Sequence, residues 1–207
     1  MEVVLGIPCG DIELEGRLVA PPRPSLAAVL CHPHPLMGGD MNSPPVVWVR
    51  DALVSRGAAV LRFNFRGTGA SGGTHSGGKL EVEDVAAALR FVAARAPEAP
   101  LALVGYSFGA LMAAKAAVGR DDLYALGMIA PPCGMSVLPA LSADSFAHGI
   151  VIVAGDRDEF CPEPAAREWA RATGADVHIL RRVDHFFAGS RSDLQRIFSD
   201  WFDPQAA

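Results

Sequence analysis

The chain is poor in the features that a disulfide scaffold, a membrane protein or a nucleic-acid binder would need. Its four cysteines (Cys9, Cys31, Cys133 and Cys161) lie far apart in 207 residues with no Cys-x-x-Cys pair, so no disulfide framework organises it. No apolar run approaches the roughly 18 residues of a membrane span. Acidic residues outnumber basic ones, 23 to 18, for a net charge of −5, which removes the basic face a nucleic-acid binder presents. Aromatic residues are only 7%, and alanine supplies much of the apolar content. The opening Met-Glu-Val-Val-Leu-Gly has neither the basic n-region nor the apolar h-region of a signal peptide. A cytoplasmic protein with reduced thiols is expected, with no membrane or nucleic-acid partner and existing as a monomer or homodimer.

What is present is regular alternation. The length suits a single domain, 1–207, with a substantial core. Runs at 2–7 and 11–19 alternate apolar and polar residues about Cys9-Gly10 and predict an antiparallel hairpin. The segment Arg17–Leu26, with Pro21, Pro22 and Pro24, reads as a loop. Short continuous apolar runs follow at 26–31, 58–63, 101–105, 125–130 and 149–154, with an edge strand at 176–180; such runs suit parallel strands covered on both faces. Helical stretches lie between them. Residues 46–56 stop at Gly57, and 80–95 carry Val82, Val85, Ala86, Leu89 and Val92 on one stripe. Residues 162–173 begin at Pro162 and stop at Gly174. Leu194, Ile197, Phe198, Trp201 and Phe202 stripe a last helix, with Ser190 as candidate cap and Asp193 three residues on. The pattern predicts an α/β fold: a mostly parallel sheet, an N-terminal antiparallel hairpin, and helices on both faces.

Gly105-Tyr-Ser-Phe-Gly109 stands where an apolar run meets an alanine-rich one. This Gly-x-Ser-x-Gly pattern at a strand-to-helix junction holds a serine on a sharp turn, where a β-carbon at 105 or 109 would clash. In an open parallel sheet, ligands sit beyond the carboxyl ends of the strands. Ser107 falls there, as do Asp158 after 149–154 and His185 after 176–180. The order of nucleophile, acid and base is that of α/β-hydrolases. A serine hydroxyl attacks only when a base takes its proton; a neutral imidazole does so near pH 7, and a carboxylate fixes its tautomer. Asp156 and Glu159 are local alternatives to Asp158. Asp156 is expected to bond loop backbone, and Asp184 to point away from the ring of its neighbour His185.

Acyl transfer also needs donors for the oxyanion. The N–H of Phe108, after the nucleophile, is one. The loop Cys31–Gly39 should supply the other, and since Pro33 and Pro35 have no N–H, His34 is the expected donor. His32 should brace this loop through its side chain. His32 and His34, at i and i+2 with no further His/Cys cluster, make a poor zinc site, so no metal is expected. Gly67-Thr-Gly69-Ala-Ser-Gly72 matches Gly-x-Gly-x-x-Gly but does not open a helix directly. Gly73-x4-Gly78-Lys79 has Leu80 where a P-loop needs Ser or Thr. No nucleotide or other cofactor is expected; the glycine-rich stretch reads as a surface turn near the site, with Arg66 bonding local backbone.

Together, His32-Pro-His-Pro35, Phe63-Asn-Phe-Arg-Gly67, Gly105-Tyr-Ser-Phe-Gly109, Gly155-Asp-x-Asp158 and Asp184-His-Phe-Phe187 make a chain that resembles the small bacterial α/β-hydrolases of the dienelactone-hydrolase-like group. Within that group it is more similar to the short, lidless members with a His-Pro-His-Pro loop. The resemblance, over roughly residues 3–203, implies an α/β-hydrolase fold with Ser107, Asp158 and His185 at the family's triad positions. The wider group often uses a cysteine nucleophile; serine here favours an esterase. Only Pro131–Gly149 separates two strands where cap domains usually insert, so no cap is expected. A shallow pocket lined by Leu36, Met37, Met135, Val137, Leu138, Phe160 and Phe186 would suit small, short-chain esters or thioesters. The alternatives are an acyltransferase or peptidase with the same triad, or a non-catalytic small-molecule receptor on this scaffold.

Overall fold

The computed structural model describes residues 1–202; positions 203–207 of the expected 1–207 domain lie outside the described residues. In chain order the elements are β1 (Glu2–Cys9), β2 (Ile12–Val19), β3 (Ala27–Cys31), α1 (Pro44–Ser55), β4 (Ala59–Phe63), α2 (Glu81–Ala93) and β5 (Leu101–Tyr106). After these come α3 (Phe108–Ala117), β6 (Leu123–Ile129), β7 (Ile150–Gly155), α4 (Glu163–Thr173), β8 (Asp176–Leu180) and α5 (Arg191–Trp201). The strands form one sheet in the order β1-β2-β4-β3-β5-β6-β7-β8. β1 pairs antiparallel with β2 and β2 with β4, and every later pair is parallel. The hairpin turns at Gly10, whose φ of 58° suits glycine.

Every residue of β3, β4, β5 and β7 is buried. Apart from Arg62 in β4, these strands therefore read as unbroken apolar runs: helices cover both faces and leave little room for polar residues. Edge strand β8 is only partly covered. The loop expected over Arg17–Leu26 begins later, because Arg17, Leu18 and Val19 still pair with Arg62, Leu61 and Val60. Ser190 precedes α5 as expected, but its side chain makes no capping bond. Its φ and ψ of −97° and 18° are not the extended angles from which a cap hydroxyl reaches the first-turn N–H groups.

The chain moves from β3 to β4 in one direction along the sheet and from β4 onward in the other. With right-handed crossovers, this reversal puts α1 on the face opposite α2 and α3. Accordingly α1 packs on α5, and α2 packs on α3. The reversal falls between β3 and β5, and the carboxyl ends of strands at such a point are where open α/β sheets bind ligands. No cap covers these ends: between β6 and β7 the one helical element is the single turn Ala143–Ser145.

Candidate active site

The site begins at the turn from β5 into α3. Ser107 has φ 55° and ψ −118°, a strained combination that persists only where its surroundings enforce it. Its N–H is tied to the Ile129 carbonyl of β6 at 2.8 Å. A β-carbon on Gly105 would lie 2.3 Å from the Gly109 oxygen, and one on Gly109 would lie 2.4 Å from the Cys31 oxygen. Both close approaches are to backbone, which cannot turn aside. Gly109→Ala should therefore push α3 away from β3 and cost about 3 kcal/mol, read as a lower urea midpoint at unchanged m-value.

Three side chains from distant loops meet at this turn. Ser107 Oγ lies 2.8 Å from His185 Nε2, and His185 Nδ1 lies 2.8 Å from Asp158 Oδ2 and 3.0 Å from Oδ1. The Asp158 side chain is fully buried. Its Oδ1 also accepts the N–H groups of Phe160 and Cys161, at 2.9 and 2.8 Å. The other local acids are engaged elsewhere or exposed. Asp156 accepts the Arg182 N–H, Asp184 accepts the Phe186 N–H, and Glu159 faces solvent. His185 is held from behind by Tyr106, whose hydroxyl donates to the His185 carbonyl at 2.8 Å. Sequence reasoning missed this role: nothing in Gly-Tyr-Ser marks the tyrosine as more than a core residue.

The His-Pro-His-Pro loop lies beside this trio. His34 precedes a single turn of 3-10 helix, Pro35–Met37; its carbonyl accepts the N–H groups of Met37 and Gly39, and its Nδ1 accepts that of Leu36. The backbone N–H groups of His34 and Phe108 themselves donate to no protein acceptor among the described residues. Phe108 is the first residue of α3, where orphan N–H groups and the helix dipole favour negative charge. The glycine contact of residue 109 with β3 brings the two segments together.

His32 braces the loop as expected: its ring is buried, Nδ1 donates to the Pro33 carbonyl at 2.7 Å, and Nε2 accepts the Phe65 N–H at 3.0 Å. Both nitrogens are thus committed, one within the loop and one to the segment that follows β4. Burial pushes this imidazole down to about 4, against about 6.5 in an unfolded chain. The unfolded chain binds the extra proton within that window, so the stability is complete above the unfolded value and is lost as pH falls towards the folded one. The loss should be on the order of 3 kcal/mol. His32→Gln should flatten the dependence, read as the change in urea midpoint between about pH 7 and about pH 4.5.

The glycine-rich loop does lie near the site, but Arg66 does not bond local backbone. Its Nε and Nη2 grip the buried Asp84 carboxylate, with Nη2 to Oδ1 at 2.6 Å. This bond raises the guanidinium above its ordinary value. Inside the loop, buried Glu81 accepts the Ser76 N–H and hydroxyl and the Gly78 N–H. Burial opposes its ionisation, but these bonds outweigh it and hold the carboxyl below its usual range. Glu81 also lies 2.9 Å from His75 Nδ1. The His75 ring stands 4.9 Å from His34 and 5.5 Å from Phe108. Sequence reasoning missed His75 because its partner is a carboxylate that looks like an ordinary first-turn helix residue.

The seven expected lining residues divide into groups. Leu36, Met37 and Phe186 are exposed, on the loops that carry His34 and His185. The Phe160 ring stands 4.7 Å from that of His185. Met135, Val137 and buried Leu138 instead line a depression of about 470 Å³ against Trp169 and Ala172 of α4; its lining includes none of Ser107, Asp158 and His185.

A family profile described as "Serine aminopeptidase, S33" matches residues 46–151. This segment includes Ser107; Asp158 and His185 lie beyond it. An uncharacterized protein of Rickettsia prowazekii is 30% identical over 91% of this chain and 83% of its own length. Among solved structures, an α/β serine hydrolase homologue from Coxiella burnetii is 30% identical with TM-score 0.85, covering 97% of each chain. A lidless α/β serine hydrolase from Xanthomonas campestris is 28% identical with TM-score 0.86, covering 97% of this chain and 93% of its own. With the fold and the Ser107 turn already described, these likenesses assign the chain to the α/β serine hydrolases, within the family of the serine aminopeptidase profile.

Proposed function

We propose that the protein hydrolyses small, short-chain carboxylic esters or thioesters through an acyl-enzyme on Ser107, with residues 1–207 acting as one catalytic domain. The observation that carries this reading is the unbroken chain of hydrogen bonds from Ser107 Oγ through His185 to buried Asp158. An ionised Asp158 only accepts, so Nδ1 of His185 carries the proton and Nε2 presents its lone pair to the serine hydroxyl. Ser107 attacks the acyl carbon as His185 takes its proton. The charge then growing on the carbonyl oxygen meets the unpaired N–H groups of His34 and Phe108. His185 returns the proton to the leaving alcohol or thiol, and water enters by the same path reversed.

The lack of a cap between β6 and β7 supports small substrates. Leu36, Met37 and Phe186, on the loops that carry His34 and His185, offer apolar contact but stand largely in solvent, whereas a long acyl chain needs enclosure. A panel of acetyl, butyryl, octanoyl and palmitoyl esters and thioesters tests this, with kcat/KM expected to be highest for the two shortest. The description of the matched family favours a second reading, a peptidase. Aminoacyl amides in the same panel separate the two: faster turnover of amides than of esters would replace the ester reading.

A further inference from the structure

Cys133 and Cys161 are 28 positions apart in sequence, yet their sulfurs lie 3.5 Å apart. Nothing in the hydrolytic chemistry uses them. Their surroundings differ in a way that gives each a separate part. Cys133 is partly exposed and lines the depression against α4, whereas Cys161 is fully buried and does not. A small solute therefore reaches Cys133 first and finds Cys161 directly behind it. The hydrogen bond between the thiols holds the pKa of Cys133 below its usual value, favouring its thiolate, and together with burial pushes that of Cys161 up. Reactive cysteines are those with accessible thiolate character. The remaining two are shielded: Cys31 is buried and its thiol pushed up by burial, and Cys9 is buried against Asp84.

The pair also touches the acid of the trio. The Cys161 N–H donates to Asp158 Oδ1 at 2.8 Å. The two cysteine loops are joined beside it, Gly134 N–H donating to the Phe160 carbonyl at 2.9 Å. They are packed to contact there, because a β-carbon on Gly134 would meet Pro162 Cδ at 2.7 Å.

We propose that Cys133 and Cys161 are a peroxide-oxidisable pair whose reversible disulfide loosens the hold of Asp158 on His185. The Cys133 thiolate attacks hydrogen peroxide, forming an S–O bond and breaking the O–O bond, and the departing hydroxide leaves as water. The Cys161 sulfur then attacks the sulfenic sulfur, forming the S–S bond and expelling a second water. Two thiols and one peroxide thus give one disulfide and two waters, the sulfurs losing the two electrons that the peroxide gains. An S–S bond is about 2.05 Å long, so the gap must close by more than an ångström. That movement pulls on the segment whose amides hold Asp158. The coupling to Ser107 rests on the hydrolase reading above; the thiol chemistry does not.

The test treats the folded protein with a few equivalents of hydrogen peroxide, blocks free thiols by alkylation and maps the peptides by mass spectrometry. The expected product is a 133–161 disulfide that dithiothreitol reverses, with Cys9 and Cys31 alkylated. Cys161→Ser should stop at a sulfenic acid on Cys133 that dimedone traps. Oxidation of Cys133 in the parent to sulfinic acid with Cys161 still free, or no oxidation at either position, would overturn the pair. The rate of Ser107 labelling by a fluorophosphonate, measured on reduced and oxidised parent, reads the coupling. Displacements of this size cost between about tenfold and a hundredfold in rate, and reduction should restore it. An unchanged rate on fully oxidised protein overturns the coupling but leaves the disulfide standing. Failure of the reduced protein to label at all counts against the hydrolase reading instead.

Discussion

Ser107→Ala is expected to lower kcat on the best ester by about 10⁶-fold and to abolish fluorophosphonate labelling, while leaving the melting temperature close to that of the parent. The size of the effect follows from the geometry. Without Oγ the His185 lone pair has no proton to take, and the N–H groups of His34 and Phe108 are left to assist only the attack of water. Stability should hold because alanine keeps the β-carbon that position 107 already accommodates at φ 55°; the hydrogen bond to His185 Nε2 is what disappears. Steady-state kinetics and the intact mass of the probe-treated variant are the measurements. Turnover near that of the parent would end the assignment of Ser107 as nucleophile.

Asp158→Asn should cost about 10⁴ in kcat through a single misplaced proton. Oδ1 of Asp158 receives two backbone N–H groups, so an asparagine must keep its oxygen there and turn its amide NH2 towards His185 Nδ1. Nδ1 then accepts instead of donating, the ring proton moves to Nε2, and Nε2 can no longer take the proton of Ser107. The backbone bonds survive the change, so the fold should too. Asp156→Asn supplies the contrast. It still offers an oxygen to the Arg182 N–H, with which Asp156 now bonds, and should leave turnover near that of the parent. If Asp156→Asn proves the damaging substitution, the acid has been misassigned.

The architecture was legible in the sequence because its strands are covered on both sides. Ala27–Cys31 and Ile150–Gly155 are apolar at every position because every position is buried, and a glycine or proline usually marks where such a run ends. Ser107, Asp158 and His185 could be picked out because each follows a strand, and strand ends share one edge of a parallel sheet. Contacts between loops have no such regularity. Arg66 and Asp84 are joined by the fold, not by any spacing, so the sequence alone suggests a bond from Arg66 to local backbone instead. Met135, Val137 and Leu138 follow β6 as plausibly as any wall residue, yet their loop turns towards α4. Ser190 has the residue type of a cap without its backbone angles, and angles are not visible in a residue type. The meeting of Cys133 with Cys161 likewise depends on how two loops cross.

The uncapped stretch between β6 and β7 has a kinetic consequence for the proposed enzyme. In many enzymes product release or the opening of a lid, not chemistry, limits turnover, and a viscous medium slows such motions. Here neither entry nor exit requires a segment to swing aside, since only the single turn Ala143–Ser145 interrupts the stretch between β6 and β7. Turnover should then be timed by bond making and breaking on Ser107, and thickening the medium with sucrose should barely change it. Recognition must be done by surfaces already in place, with no closing motion to discriminate between one small ester and the next.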